Sequence, residues 1–346
     1  MNVKNMHLIC RLPTVLALCP VMLQAAVYGD FQYEEARGEI VITGLVDPLR
    51  TEPLVIPGAI GASVVRVIGA GAFSNCTALT SVSFPDSLTF IGESAFQGCR
   101  TVTKVTFGAG TEGIEKNAFA GCTSLTGIIL PEWLEDIGEG AFEGCSSLAS
   151  LIFRSELESI GDRAFTGCTA LTTLRLLGVN EYIGNCAFSD CTNLVTVYMG
   201  AALETFGDSV FKGCPGLKGV YFYGDAPDHG EDIYPESDLV TSYYLAGTRG
   251  WKPLYSGRPT ALWFNPLRIV ACSVNRNESG PDLDSCDITV MGPAEGVFLL
   301  EACTDLQLGD WVPYGITRSL DLVGWAMCCE LCQADRPRRF YRVRPQ

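Results

Sequence analysis

Histidine is nearly absent from this chain: His7 and His229 are the two copies in 346 residues. A Ser-His-Asp triad or a Cys-His pair would have to be built on one of them. His229 sits among Asp228, Glu231 and Asp232 with no glycine-flanked serine nearby, and it reads as a solvated loop residue. No cysteine pair is completed by histidine at zinc spacing, and no metal or other cofactor is expected. Positive charge is the second shortage, with 24 Lys and Arg against 39 Asp and Glu and a net charge of −15. An acidic body repels phosphate backbones, so nucleic acid is excluded as the expected partner. There is no glycine-rich phosphate loop at a strand-to-helix junction. After residue 26 no apolar run is long enough to span a bilayer.

Residues 1–26 read as a secretory signal peptide. Lys4 and Arg11 give a basic start, Leu12 to Leu23 is apolar but broken by Pro13 and Pro20, and Ala25 and Ala26 offer a cleavage region. A lipid-anchored Cys19 is disfavoured because bulky Leu18 precedes it. The expected location is secreted or cell surface. Sixteen cysteines in an exported chain invite a disulfide reading, but their positions divide them.

Seven cysteines, at 76, 99, 122, 145, 168, 191 and 214, fall at intervals of 23 residues. Phenylalanine stands three before each: Phe73, Phe96, Phe119, Phe142, Phe165, Phe188 and Phe211. A fixed period of this length predicts a solenoid, whose single turn cannot bury its own apolar side. Six and eight residues after each cysteine stand apolar columns that include Val82 and Phe84, Leu151 and Phe153, Val220 and Phe222. Being two apart, both point inward from one short strand, and stacked turns place those strands in a parallel sheet. Ile68, Ile91, Ile114, Ile137, Ile160, Ile183 and Phe206, with the Ala-Phe pair, cover the opposite wall. Asn75, Gly98, Gly121, Gly144, Gly167, Asp190 and Gly213 precede the cysteines and predict a left-handed corner in every turn. Neighbouring ladder thiols would lie about one strand spacing apart, ~4.8 Å, but point in parallel, so they read as packing groups.

The expected organisation is a signal peptide over 1–26, an N-terminal cap over 27–66, seven repeats over 67–224, a capping half-repeat over 225–263 and a C-terminal module over 264–346. In the half-repeat Ser237 takes the cysteine position, Val240, Tyr243 and Leu245 the inward ones, and an acidic link from Asp225 to Asp238 replaces the Ala-Phe wall. The final module reads as short strands at Ile269, Asp287–Val290, Val297–Glu301, Trp311 and Arg339–Val343, hence a small β-sandwich. Its Cys272, Cys286, Cys303, Cys328, Cys329 and Cys332 form a plausible disulfide framework with 15 possible connectivities.

The pattern Cys-x-x-Leu-x-x-Val-x-Phe-Pro-x-x-Leu-x-x-Ile-Gly-x-x-Ala-Phe, carried from about residue 39 to 245, resembles the BspA-like leucine-rich repeat family of bacterial surface proteins. Glu115 departs from its glycine and Val210 from its alanine. The resemblance implies a leucine-rich repeat solenoid with a parallel β-sheet on one face and short strands or helical turns on the other, used in adhesion or protein recognition. It transfers no catalytic residue. The tail, from Leu300-Glu-Ala-Cys to Arg339-Phe-Tyr-Arg-Val-Arg344, looks like a terminal module appended to some exported bacterial proteins.

One column could carry specificity. Seven residues after each cysteine stand Ser83, Thr106, Ile129, Ile152, Arg175, Tyr198 and Tyr221, with Tyr244 continuing it. These side chains alternate with buried ones and should face outward. Apolar, cationic and aromatic groups on one exposed face suit an interaction surface, though β-propensity alone would also favour Ile and Tyr in exposed strands. The expected ligand-binding residues are Ile129, Ile152, Arg175, Tyr198, Tyr221 and Tyr244, and the expected ligand is a protein or a surface glycan. Two other functions compete: a structural envelope or matrix component attached through the tail, and a secreted hydrolase using two of the acids. The acidic groups Asp225, Asp228, Glu231 and Asp232, or Asp282, Asp284 and Asp287, lack EF-hand spacing and read as hydrophilic loops.

Overall fold

A computed structural model describes residues 25–153 and 157–263 and, beyond them, the strands Arg268–Asn275, Ser285–Met291, Val297–Cys303, Val312–Arg318, Trp325–Glu330 and Phe340–Pro345. The expected signal peptide lies outside the described residues except at its last two. The chain divides into two compact units, Met1–Ser242 with Arg249–Thr260, and Tyr243–Thr248 with Ala261–Gln346.

The first unit is a solenoid without a helix among its described residues. One wall is a long sheet. It opens with antiparallel strands Ala26–Tyr28, Phe31–Ala36 and Glu39–Leu45, then runs in parallel through Ser63–Ile68, Phe90–Ile91, Gly113–Ile114, Asp136–Ile137, Leu157–Ile160, Val179–Ile183, Thr205–Phe206 and Asp228–His229. The isoleucine column is its spine, pairing Ile68 with Ile91, Ile91 with Ile114 and so on to Phe206 with His229. Glycine follows most of these isoleucines because the backbone of the turn below comes close there. A Cβ on Gly138 would lie 2.6 Å from the carbonyl carbon of Glu115 in the turn below.

A second wall carries the strands predicted after each cysteine. Leu54–Val55, Ser81–Ser83, Lys104–Thr106, Gly127–Ile129 and Ser150–Ile152 form one parallel sheet, and Thr173–Leu176, Thr196–Met199 and Gly219–Phe222 belong to another. The wall is therefore two sheets where the repeat predicts one. The break coincides with a register slip on the opposite wall, where Leu157 pairs with Val179 but Ser159 with Tyr182. The first offset is one residue short of the period.

The third wall is the turn holding phenylalanine and cysteine. Phe96, Phe119, Phe142, Phe165 and Phe188 stack at 5.2–5.4 Å between centroids with their planes nearly parallel. The cysteines beside them are buried free thiols, and they do more than fill space. Each donates Sγ–H to the carbonyl of the phenylalanine one turn below, as Cys122 does to Phe96 and Cys145 to Phe119, both at 3.3 Å. Thiol hydrogen bonds are weak individually, but this one repeats from Cys99 to Cys214. Burial pushes the Cys145 thiol up to about 12.

All seven predicted corners adopt positive φ, from 56° at Asp190 to 74° at Gly98. A second left-handed corner lies five residues before each cysteine, at Gly71, Ser94, Asn117, Gly140, Arg163, Cys186 and Ser209. Its varied residue types hide it from a reader of the sequence.

The eighth turn is fuller than the sequence suggests. Ile233 and Tyr234 occupy the Ala-Phe slot in place of the expected acidic link, both fully buried, and Tyr234 stacks 6.0 Å from Phe211. The slot was obscured because tyrosine stands for phenylalanine inside an acidic stretch; its hydroxyl is satisfied by Ser242 at 3.1 Å. Ser237 takes over the cysteine bond, donating to the Phe211 carbonyl at 2.8 Å.

In the second unit the described strands form two three-stranded antiparallel sheets, ordered Arg268–Asn275, Ser285–Met291, Trp325–Glu330 and Val312–Arg318, Val297–Cys303, Phe340–Pro345. Trp325–Glu330 lies where the sequence offers no strand signal. The expected disulfides among the six tail cysteines lie outside the residues whose side chains are described.

Candidate recognition face

The outward column occupies the second wall, alternating with buried neighbours as period-two geometry requires. In Thr196–Met199, Val197 and Met199 are buried while Tyr198 is half-buried, and in Thr173–Leu176 Arg175 is exposed between Leu174 and Leu176. Parallel pairing aligns Arg175 with Tyr198 and Tyr198 with Tyr221. The three form a stack along the solenoid axis. The Arg175 guanidinium lies 4.6 Å from the Tyr198 ring centroid, and the Tyr198 and Tyr221 rings stand 5.2 Å apart at 23°. An exposed cation–π contact contributes about 0.5–1 kcal/mol, and an aromatic pair about as much again. These contacts bias the side chains toward one arrangement before a partner arrives.

Ile129 and Ile152 form the other half of the column. They pair directly in the neighbouring sheet and are 48% and 46% exposed, high for isoleucine. Tyr244 is half-buried and belongs to the second unit, so the stack described in the solenoid runs from Arg175 to Tyr221. Sequence reasoning missed three contributors. Leu177 and Val195 are exposed on the same wall, in columns whose other members are mixed. Gly219 is buried beneath the Tyr221 ring, where a Cβ would meet Cε2 at 2.8 Å. The cue for Gly219 would have been a glycine two residues before an outward tyrosine.

The other candidates disperse. His229 is exposed, with Nδ1 beside the Gly230 carbonyl at 2.8 Å and its ring edge-on to Tyr255. Asp225 and Asp232 accept backbone N–H groups from Arg249 and Tyr234, which makes them turn-stabilising residues. Asp282 and Asp284 lie outside the described residues, and Asp287 lies among residues whose side chains are not described. Among the described residues no three His, Cys, Asp or Glu side chains converge as a metal site. No described helix is long and apolar enough to cross a membrane.

The family model described as "BspA type Leucine rich repeat region" matches six copies over residues 59–139 and 112–239, more than half of the chain. The chain belongs to the BspA-type leucine-rich repeat family. Similar solved structures of bacterial leucine-rich repeat proteins include TpLRR of T. pallidum, 27% identical with TM-score 0.43, aligned over 65% of this chain and 87% of that one. A leucine-rich repeat protein of Bacteroides ovatus is 21% identical with TM-score 0.41, over 63% and 70% of the two chains. The pneumococcal vaccine antigen PcpA is 16% identical with TM-score 0.39, over 69% and 98%. No curated protein matches the sequence. Within this BspA-type repeat protein, the outward stack stands on a wall whose inward positions are given to the core.

Proposed function

We propose that this is an exported, non-enzymatic recognition protein that binds a protein partner through the second wall of its solenoid. The observation that carries the reading is the in-register stack of Arg175, Tyr198 and Tyr221 beside exposed Ile129 and Ile152. Arginine, tyrosine and apolar anchors are the side chains that dominate protein interfaces. Stacking favours a protein over a glycan here. One face of Tyr198 is covered by Arg175 and the other by Tyr221, so no face of that ring is left for a sugar to stack on.

The test compares the full chain with a variant carrying Arg175→Ser, Tyr198→Ser and Tyr221→Ser against host and bacterial surface-protein extracts. A partner retained by the wild type and lost by the variant, at equal thermal midpoints, is the expected result. A partner bound equally by both removes this face from the function. Retention of deglycosylated and native partner alike separates protein from glycan recognition.

A further inference from the structure

The wall that carries the stack has a second property, which concerns charge. Its described residues follow each ladder cysteine: 77–85, 100–108, 123–131, 146–153, 169–177, 192–200 and 215–223. None of these residues is Asp or Glu. With 39 acids in 346 residues, roughly one in nine positions is acidic, so seven such segments without any is segregation. The acids line the other walls. Ten residues before the cysteines, Glu112, Glu135, Glu158, Glu181 and Glu204 follow one another at the 23-residue period. Backbone bonds of 2.9 and 2.8 Å tie Glu135 to Glu112 and Glu158 to Glu135, stacking like charges about one strand spacing apart.

The cations on the acid-free wall are also distinctive. Arg100, Lys104, Arg175 and Lys218 are exposed there, and among the described residues none of the four makes an ion pair. Elsewhere in the solenoid Lys116, Arg163 and Lys212 each meet a carboxylate, of Glu139, Glu143 and Glu236 respectively. Cations without a carboxylate partner on one wall of a chain with net charge −15 make a local positive strip in a negative field, which orients a charged partner on approach.

We propose that this wall receives an acidic polypeptide segment that also carries apolar side chains. The inference rests on the recognition face described above and names its partner's chemistry. Carboxylates of the segment meet Lys104, Arg175 and Lys218, while its apolar residues cover Ile129 and Ile152, which lie between Lys104 and Arg175 along the axis. Lys104 and Lys218 are five turns apart, about 24 Å, which about seven extended residues span. An anionic polysaccharide fits less well. Its charge recurs at every sugar, whereas Lys104, Arg175 and Lys218 are separated along the wall by threonine, glycine and isoleucine.

The probe is a fluorescent random copolymer of glutamate and tyrosine, with polyglutamate and heparin beside it, titrated onto the full chain at two salt concentrations. The copolymer should bind most tightly and weaken as salt rises. Lys104→Ser, Arg175→Ser and Lys218→Ser together should lower its affinity about tenfold or more. Thr173→Glu with Thr196→Glu, which places acids on the wall, should do the same. Thr205→Glu, on the glutamate wall, should leave binding unchanged, and circular dichroism confirms that all variants fold.

A copolymer that fails to bind overturns the proposal, as does an equal loss from Thr205→Glu, which would mean net charge alone. Heparin binding in place of the copolymer overturns it in favour of a polysaccharide. Self-association of the wild type that the wall variants abolish overturns it in favour of a second copy. A surface protein lost by the Arg175, Tyr198 and Tyr221 variant while the copolymer is inert would sink the acidic partner and leave the recognition face standing.

Discussion

The ring of Tyr221 lies over Gly219, two residues back on the same strand, so closely that a Cβ there would stand 2.8 Å from Cε2. This places the tyrosine against the sheet and fixes the position from which it stacks with Tyr198. Gly219→Ala should lift the ring without unfolding the strand. Near-ultraviolet circular dichroism is expected to lose part of its tyrosine signal while the thermal midpoint stays within a few degrees. An unchanged spectrum would mean the ring is placed by something other than that glycine.

The left-handed corners give two opposed predictions. Gly144 has φ of 71°, and a Cβ there would have room, its nearest neighbour being Gly121 Cα at 3.9 Å, so backbone strain is what opposes it. Gly144→Val should cost about 1–2 kcal/mol. Ser94 holds φ of 56° at the second corner, and Ser94→Gly should stabilise by under ~1 kcal/mol once the added unfolded-state entropy is counted. Urea unfolding of both variants checks the pair. Equal shifts of the same sign would contradict the corner assignment.

The thiol ladder predicts chemical inertness and tolerance of serine. Burial holds the Cys99, Cys145 and Cys214 thiols up at about 12, so iodoacetamide at pH 8 should label Cys186, which is half-buried, well before any of them. Cys145→Ser retains a donor for the Phe119 carbonyl, as Ser237 does for Phe211. Cys145→Val removes it and adds bulk, and is expected to be worse than serine by about 1–3 kcal/mol. Mass spectrometry after labelling and thermal melts read the two outcomes.

Glu115 stands where neighbouring turns carry glycine, and burial first, then Asp136 and Glu93, raise its pKa. The folded state therefore holds this proton more tightly than the unfolded chain. Its stabilising effect is full below the unfolded pKa, about 4.3, and is lost as pH rises through the folded value. Glu115→Gln should raise the thermal midpoint at pH 7, with the advantage vanishing below about pH 4. A constant advantage at every pH would assign it to shape and not to charge.

Much of the architecture was legible because a solenoid repeats its physics. The isoleucine spine, the phenylalanine stack and the first corner each draw on one or a few related residue types every 23 positions, so the columns announce them. The second corner was illegible because Gly71, Ser94, Asn117, Gly140, Arg163, Cys186 and Ser209 share a backbone angle and nothing else. The filled eighth turn was missed because Tyr234 keeps the size of phenylalanine while changing the letter, and Ile233 puts a larger apolar group in the alanine slot. Arg175, Tyr198 and Tyr221 could be assigned to one outward column from period-two alternation, but not to one stack.

By itself the sequence determined the period, the inward columns and the residues that line up, since burial in a repeating coil follows from spacing along the chain. Tertiary structure decided what those residues do to each other. Register across turns set the guanidinium over one ring and that ring over the next. The outward wall is also two sheets, broken where the opposite wall slips beside Leu157. Contacts between turns depend on distances that a one-dimensional pattern does not contain, whereas the pattern fixes which face each side chain must take.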